Sequence, residues 1–157
     1  MAFARAQVIG TFFDWLRHLK RRREWAADLA SGRRAEDLAH RFLRRHGFTI
    51  VARNYRLPAG DAEADLIAWD STDLVIVEVK ARASEEFGPP ERAIGDNKRR
   101  HLIRVAREYA RKTDTPWEKI RFDVVTVVLS NPPKIELIRG AFNEADRTDQ
   151  AGPVPRP

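Results

Sequence analysis

Two carboxylates and one ammonium make the clearest chemical pattern in the chain: Asp65, Glu78 and Lys80, within EADLIAWDSTDLVIVEVK. The residues around them are largely Val, Ile and Leu, where a charge is costly unless it is paired or binds a metal. Asp65 to Trp69 and Leu74 to Lys80 read as strands joined by the polar turn Asp70-Ser71-Thr72-Asp73. With that turn centred between Ser71 and Thr72, facing residues have numbers summing to 143, so Trp69 faces Leu74, Ile67 faces Ile76 and Asp65 faces Glu78. Alternation then puts Asp65, Glu78 and Lys80 on one sheet face, with directly opposed Cβ atoms roughly 4.5–5.5 Å apart. Two acids so placed repel, and a hard divalent cation, Mg²⁺ or Mn²⁺, removes the repulsion. Such an ion activates water and stabilises charge on a phosphoryl oxygen, while Lys80 would orient the water or stabilise the same charge. The implied chemistry is phosphodiester hydrolysis. Taken alone, Glu78-Val79-Lys80 is more simply a same-face ion pair, and Asp65 in register is what argues for more.

The elements that must position these residues are legible at coarse grain. Residues 1–30 read as an amphipathic helical extension: Val8, Ile9, Phe12, Phe13, Leu16 and Leu19 recur at helical spacing ahead of Lys20-Arg21-Arg22-Arg23. Ser31-Gly32 is expected to interrupt it. A second helix runs from Arg33 to His46 with Ala35, Leu38, Ala39 and Phe42 on one stripe, and stops at Gly47, a residue suited to a left-handed cap. Phe48 to Tyr55 is a further strand, and residues 81–97 form a loop with one helical turn. Asp96 is positioned to cap a helix from Asn97 to Lys112, with Leu102, Val105, Ala106 and Tyr109 inward. Arg121 to Leu129 is an apolar strand, Asn131-Pro132-Pro133 a turn, and Lys134 to Arg139 a last short strand. Residues 144–157, ending GPVPRP, should be disordered. The order helix, three strands, helix, two strands predicts an α/β domain over residues 31–143, one sheet flanked by helices.

Composition narrows the function classes. Hydrophobic residues make up 43% of the 157, enough for a core in one domain. Without cysteine there is no disulfide or thiolate metal site, which suits a cytoplasmic setting. No apolar run approaches the ~20 residues of a membrane span. Asp14, Arg17 and His18 break up the N-terminal apolar stretch, so it is not expected to act as a signal peptide. The net charge is +6, and Lys98 to Lys112 holds seven basic residues and one acid. Such a band suits a polyanion, although a solvated helix face accounts for it equally well. His18, His40, His46 and His101 lack metal-ligand spacing, and no glycine-rich phosphate loop or nucleophilic triad pattern is present.

Asp65, twelve intervening residues and Glu78-Val79-Lys80 together resemble the PD-(D/E)xK signature of restriction-endonuclease-like nucleases. GRRAEDLAHRFLRRHGF, ARNYR, EADLIAW, LVIVEVKAR, Lys98, RFDVV and GAF further resemble the YraN-type family of predicted endonucleases, itself similar to archaeal Holliday-junction resolvases. The resemblance spans Gly32 to Phe142 and implies a restriction-endonuclease-like mixed sheet. It also implies Glu36, Asp65, Glu78 and Lys80 as the catalytic set, with Asp65 and Glu78 on the metal. The chain departs from the usual Gly-Glu-x-Asp at one place, where Asp61 and Ala62 separate Gly60 from Glu63.

Glu36, at the edge of its helix's buried stripe, can reach the rim of the site, or simply favour the helix dipole. Lys98, four residues before Leu102, would meet a phosphate, as would Arg99, Arg100, Arg82, Arg33 and Arg34; Arg53 and Arg56 are further options. Asp123, alternating onto a face with Arg121, reads as half of a structural ion pair. The function expected is nucleic-acid binding, on DNA, with Mg²⁺-dependent endonuclease activity on branched substrates. A homodimer would suit such an enzyme, since two strands need two sites. The alternatives are a binding module of the same fold without turnover, and an interaction protein whose N-terminal helix docks on a partner or an anionic surface.

Overall fold

The computed structural model describes residues 27–82 and 94–144. Expectations for residues 1–26, 83–93 and 145–157, including the apolar stripe from Val8 to Leu19, most of the 81–97 loop and the disordered tail, lie outside the described residues. The chain divides into two compact units, residues 1–34 and 35–157. The first is described only from residue 27, where it is helical. Among the described residues no helix is long and apolar enough to cross a membrane.

Helix α1 covers residues 27–45 without a break at Ser31-Gly32, contrary to expectation. A glycine inside a helix costs only about 1 kcal/mol relative to alanine. Ala27, Ala30, Arg33 and Arg34 are good helix formers and outweigh that cost. The helix does end where expected: Gly47 takes φ +88°, a conformation that strains any residue with a Cβ. Strands β1 (Thr49–Arg56), β2 (Glu63–Asp70) and β3 (Asp73–Arg82) form an antiparallel meander. Helix α2 (Asp96–Thr113) then crosses over to β4 (Ile120–Val128), which runs parallel to β3, and β5 (Lys134–Phe142) closes the sheet antiparallel to β4. The spatial order equals the chain order, β1-β2-β3-β4-β5. Gly95, not Asp96, is the N-terminal cap of α2. Asp96 lies one residue inside, in the first turn, where its charge still favours the helix dipole.

Each face of the sheet has its own core. Ala35, Ala39 and Leu43 of α1 pack with Leu66, Ala68, Val75, Val77, Val125 and Val127. On the other face Leu102, Ile103, Val105 and Ala106 of α2 pack with Ile67, Leu74, Ile76, Phe122 and Val124. The inward stripes are therefore shifted slightly from those expected: Leu38, Phe42 and Tyr109 are only half-buried. Covering both faces explains why β3 and β4 are nearly continuous apolar runs. It also makes any charge on those strands conspicuous.

Candidate active site where the β2–β3 ladder ends

The β2–β3 register is the expected one: Asp70 faces Asp73, Trp69 faces Leu74, Ile67 faces Ile76 and Leu66 faces Val77. Ser71, at φ +57°, makes the tight turn. The ladder stops at Leu66 and Val77, one pair before Asp65 and Glu78, although both strands continue. Beyond that point Val79 N–H donates to Asp65 Oδ2 at 2.7 Å. The carboxylate takes the place of the β2 backbone and satisfies a donor that the ended ladder would otherwise leave open. Asp65 is thereby held in the gap between the strands by a main-chain bond.

Glu78 and Lys80 follow Leu74 and Ile76 by alternation, and so lie on the face covered by α2. Glu78 is buried. Lys80 Nζ is 2.8 Å from Glu78 Oε1, and Lys98 Nζ, in the first turn of α2, is 2.9 Å from Oε2. Lys98 also donates to the Glu63 carbonyl at 3.4 Å. Its approach to Glu78 Oε2 lacks the geometry of a hydrogen bond, so that buried oxygen has a charge beside it and no donor. Burial and, second to it, the Glu78 charge raise the Asp65 carboxyl to about 7, against the Val79 bond and the Lys98 charge, which oppose them. Glu36, half-buried on α1, adds a smaller push in the same direction, so its charge is felt at the site. The expected trio is therefore assembled, with Lys98 as a fourth member that sequence reasoning aimed at phosphate instead.

A divalent cation suits this chemistry in two respects. Glu78 Oε2 is a buried acceptor with no hydrogen-bond donor, and burial and the Glu78 charge oppose the ionisation of Asp65. Among the described residues no three Asp, Glu or His side chains converge as a ready metal cage. Mg²⁺ does not need one, since it commonly binds one or two carboxylates and keeps several waters.

The remaining candidates scatter. Arg82 is exposed at the end of β3, and Arg33 and Arg34 are exposed in the first unit. Arg100 is exposed and donates to Asn97. Arg99 is drawn into the fold, with Nε donating to the Ile94 carbonyl at 3.1 Å and its guanidinium over the Phe142 ring. The basic band on α2 is largely neutralised, partly by acids distant in sequence and partly by Glu108 within it. Arg104 makes a two-pronged pair with Asp61 (2.8 and 3.1 Å), Arg107 pairs with Glu144, and Arg111 and Lys112 share Glu108. Arg53 and Arg56 are likewise paired, with Asp37 and Glu63. The unusual residues Asp61 and Ala62 form part of a short turn closed by Leu57 N–H to the Ala62 carbonyl and anchored by Arg104.

Asp123 is the structural residue it was expected to be. It is fully buried, accepts from Arg121 Nε at 2.9 Å and from Gly140 N–H at 2.9 Å, and so pins β4 to β5. One polar residue near the site escaped sequence reasoning. Thr126 is buried on β4 in register with Lys80, and its hydroxyl has no hydrogen-bond partner. Only the alternation of an otherwise apolar strand could have flagged it.

About 320 known proteins are similar to this chain. A UPF0102 protein of Solibacter usitatus is 50% identical over 135 residues, covering 86% of this chain and 100% of the relative. A second, from Koribacter versatilis, is 47% identical over 117 residues, 73% of this chain and 80% of its own length. A third, from Desulfosudis oleivorans, is 46% identical over 112 residues, 71% and 89% respectively. The matched family is described as "Uncharacterised protein family UPF0102", and its match runs over residues 35–127, from the middle of α1 through most of β4. The chain belongs to this family, UPF0102, the YraN-type family that its motifs resemble.

Proposed function

We propose that the chain is a metal-dependent endonuclease of the restriction-endonuclease-like type, acting on DNA in the cytoplasm. The observation that carries the reading is the set Asp65, Glu78 and Lys80 at the end of the β2–β3 ladder, in a sheet whose buried side chains are mostly apolar. Ion pairing alone accounts for Glu78 and Lys80. It does not account for Asp65, a third charged group placed where its ionisation is opposed.

Asp65 and Glu78 would hold Mg²⁺ or Mn²⁺, which when bound supplies an activated water and a Lewis acid for a phosphoryl oxygen. The chain's own residues do the rest. The Val79 amide fixes the Asp65 carboxylate, so that little is lost in ordering it. Lys80, a third exposed, has a tip that can turn from Glu78 towards charge developing on a phosphate. Glu36 adds negative charge at the rim and favours a cation there. Arg82 and Arg100, exposed and facing no carboxylate in the described structure, are the groups best placed for backbone phosphates. Two copies would be needed to cut both strands of a branched substrate.

One observation favours a second reading, a binding module without turnover: Lys80 and Lys98 already close on both oxygens of Glu78. Incubating the protein with duplex, single-stranded, flap and four-way-junction DNA in Mg²⁺, Mn²⁺ or EDTA separates the two. Cation-dependent cleavage of any member supports the nuclease. Retention of DNA without cleavage in either cation supports the module.

A further inference from the structure

Lys98 is placed unlike the cations further along α2. Arg104, Arg107, Arg111 and Lys112 find partners at the helix surface, whereas Lys98 turns inward from the first turn to a buried carboxylate. Its ammonium stands 2.9 Å from Glu78 Oε2 without hydrogen-bonding it, and 3.4 Å from the Glu63 carbonyl. Its charge also reaches Asp65. A positive point charge set between the Glu78 carboxylate and a backbone carbonyl, with its field reaching Asp65, occupies surroundings that also suit a hard cation.

We infer that Lys98 is an internal counter-ion holding the place of the divalent cation, and that metal binding displaces it from Glu78. The inference rests on the metal-dependent reading above and adds a competition to it. In the metal-free protein two acids near each other in an apolar sheet need a compensating charge, and Lys98 supplies it. A divalent cation brings twice the charge to the same oxygen, and an ammonium beside it would be repelled. The two states of Glu78 are then mutually exclusive. The ammonium lowers the apparent metal affinity by the population of the paired state, and the metal drives the lysine out. Lys80, which pairs with the other oxygen, need not leave.

The full-length protein tests this in two ways. Titration of Mn²⁺ by calorimetry should give a dissociation constant about tenfold lower or better for Lys98→Met, and within about threefold of wild type for Lys98→Arg, which keeps the charge. Independently, reductive methylation of the wild type, read by mass spectrometry, should show Lys98 protected without metal and several-fold more reactive with saturating Mg²⁺. The second measurement needs no variant and stands if Lys98→Met does not fold. Wild type that binds Mn²⁺ while Lys98→Met binds equally or more weakly, or Lys98 reactivity unmoved by Mg²⁺, overturns the displacement and leaves the metal site standing. Absence of cation binding by both wild type and Lys98→Met overturns the displacement and the metal-dependent reading together.

Discussion

Replacing Asp65 by Asn should make the protein more stable at neutral and alkaline pH, and the gain should disappear in acid. Asparagine keeps the size of the side chain and an oxygen able to accept from Val79 N–H, so the main-chain bond survives. What it removes is a charge that burial and Glu78 oppose. In the folded protein Asp65 holds its proton up to about pH 7, against 3.8 as the ordinary value. The folded state thus carries more protons than the unfolded chain between those limits, and wild-type stability falls as pH rises through them. Each pKa unit is worth 1.36 kcal/mol, so the full difference is about 4 kcal/mol. The Asn amide group brings two donors of its own into a half-buried place, at a cost of about 1–3 kcal/mol if unmet. A net gain of about 1–3 kcal/mol at pH 8 remains, or several degrees in Tm for a domain of this size. Urea unfolding of both proteins at pH 8, 6 and 4, without metal, measures it. The gain should be gone at pH 4, where Asp65 is protonated in the fold and only the cost of the amide remains; groups not coupled to Asp65 titrate alike in both proteins and cancel. Asp65→Asn less stable than wild type at pH 8, or a difference independent of pH, would refute the reasoning.

Three further outcomes follow from the same geometry. Glu78→Gln removes the second-largest cause of the raised Asp65 pKa, so carboxyl-detected NMR should find Asp65 titrating lower than in wild type. Asp123→Ala leaves Arg121 and the Gly140 amide without their buried acceptor and should cost about 3–5 kcal/mol in urea unfolding, with no help from added cations. If DNA is bound, Arg82→Ala with Arg100→Ala should flatten the dependence of log affinity on log salt by roughly 0.9 per lost phosphate contact. Arg104→Ala with Arg107→Ala, already neutralised by Asp61 and Glu144, should flatten it less.

The hairpin was the most legible part of the site because strand alternation and a two-residue polar turn leave little freedom. A shift of one residue would have turned Ile67 and Ile76 to the other face. The element order and the stop at Gly47 were readable for similar local reasons, apolar period and a left-handed cap. What could not be read was whatever depends on elements meeting in space. Ser31-Gly32 looked like a break because a local penalty was weighed without the helix formers around it. The ladder's end before Asp65 was hidden because pairing depends on the path of β2 after the Asp61-Ala62 insertion. Lys98 belonged to an inward stripe, but only the placement of α2 over β3 brings it to Glu78. The basic band from Lys98 to Lys112 looked unbalanced because Asp61, Glu78 and Glu144 lie far away in sequence.

The central claim is that Asp65, Glu78 and Lys80 are a hydrolytic site, and nicking of supercoiled plasmid tests it most directly. Wild type, Glu78→Gln and Lys80→Ala, purified in parallel, are each incubated with plasmid in Mn²⁺, Mg²⁺ and EDTA. Wild type should give nicked or linear product with a divalent cation and none in EDTA, and both variants should lose at least about a hundredfold. Equal cleavage by all three proteins, or cleavage by wild type undiminished in EDTA, would contradict the claim.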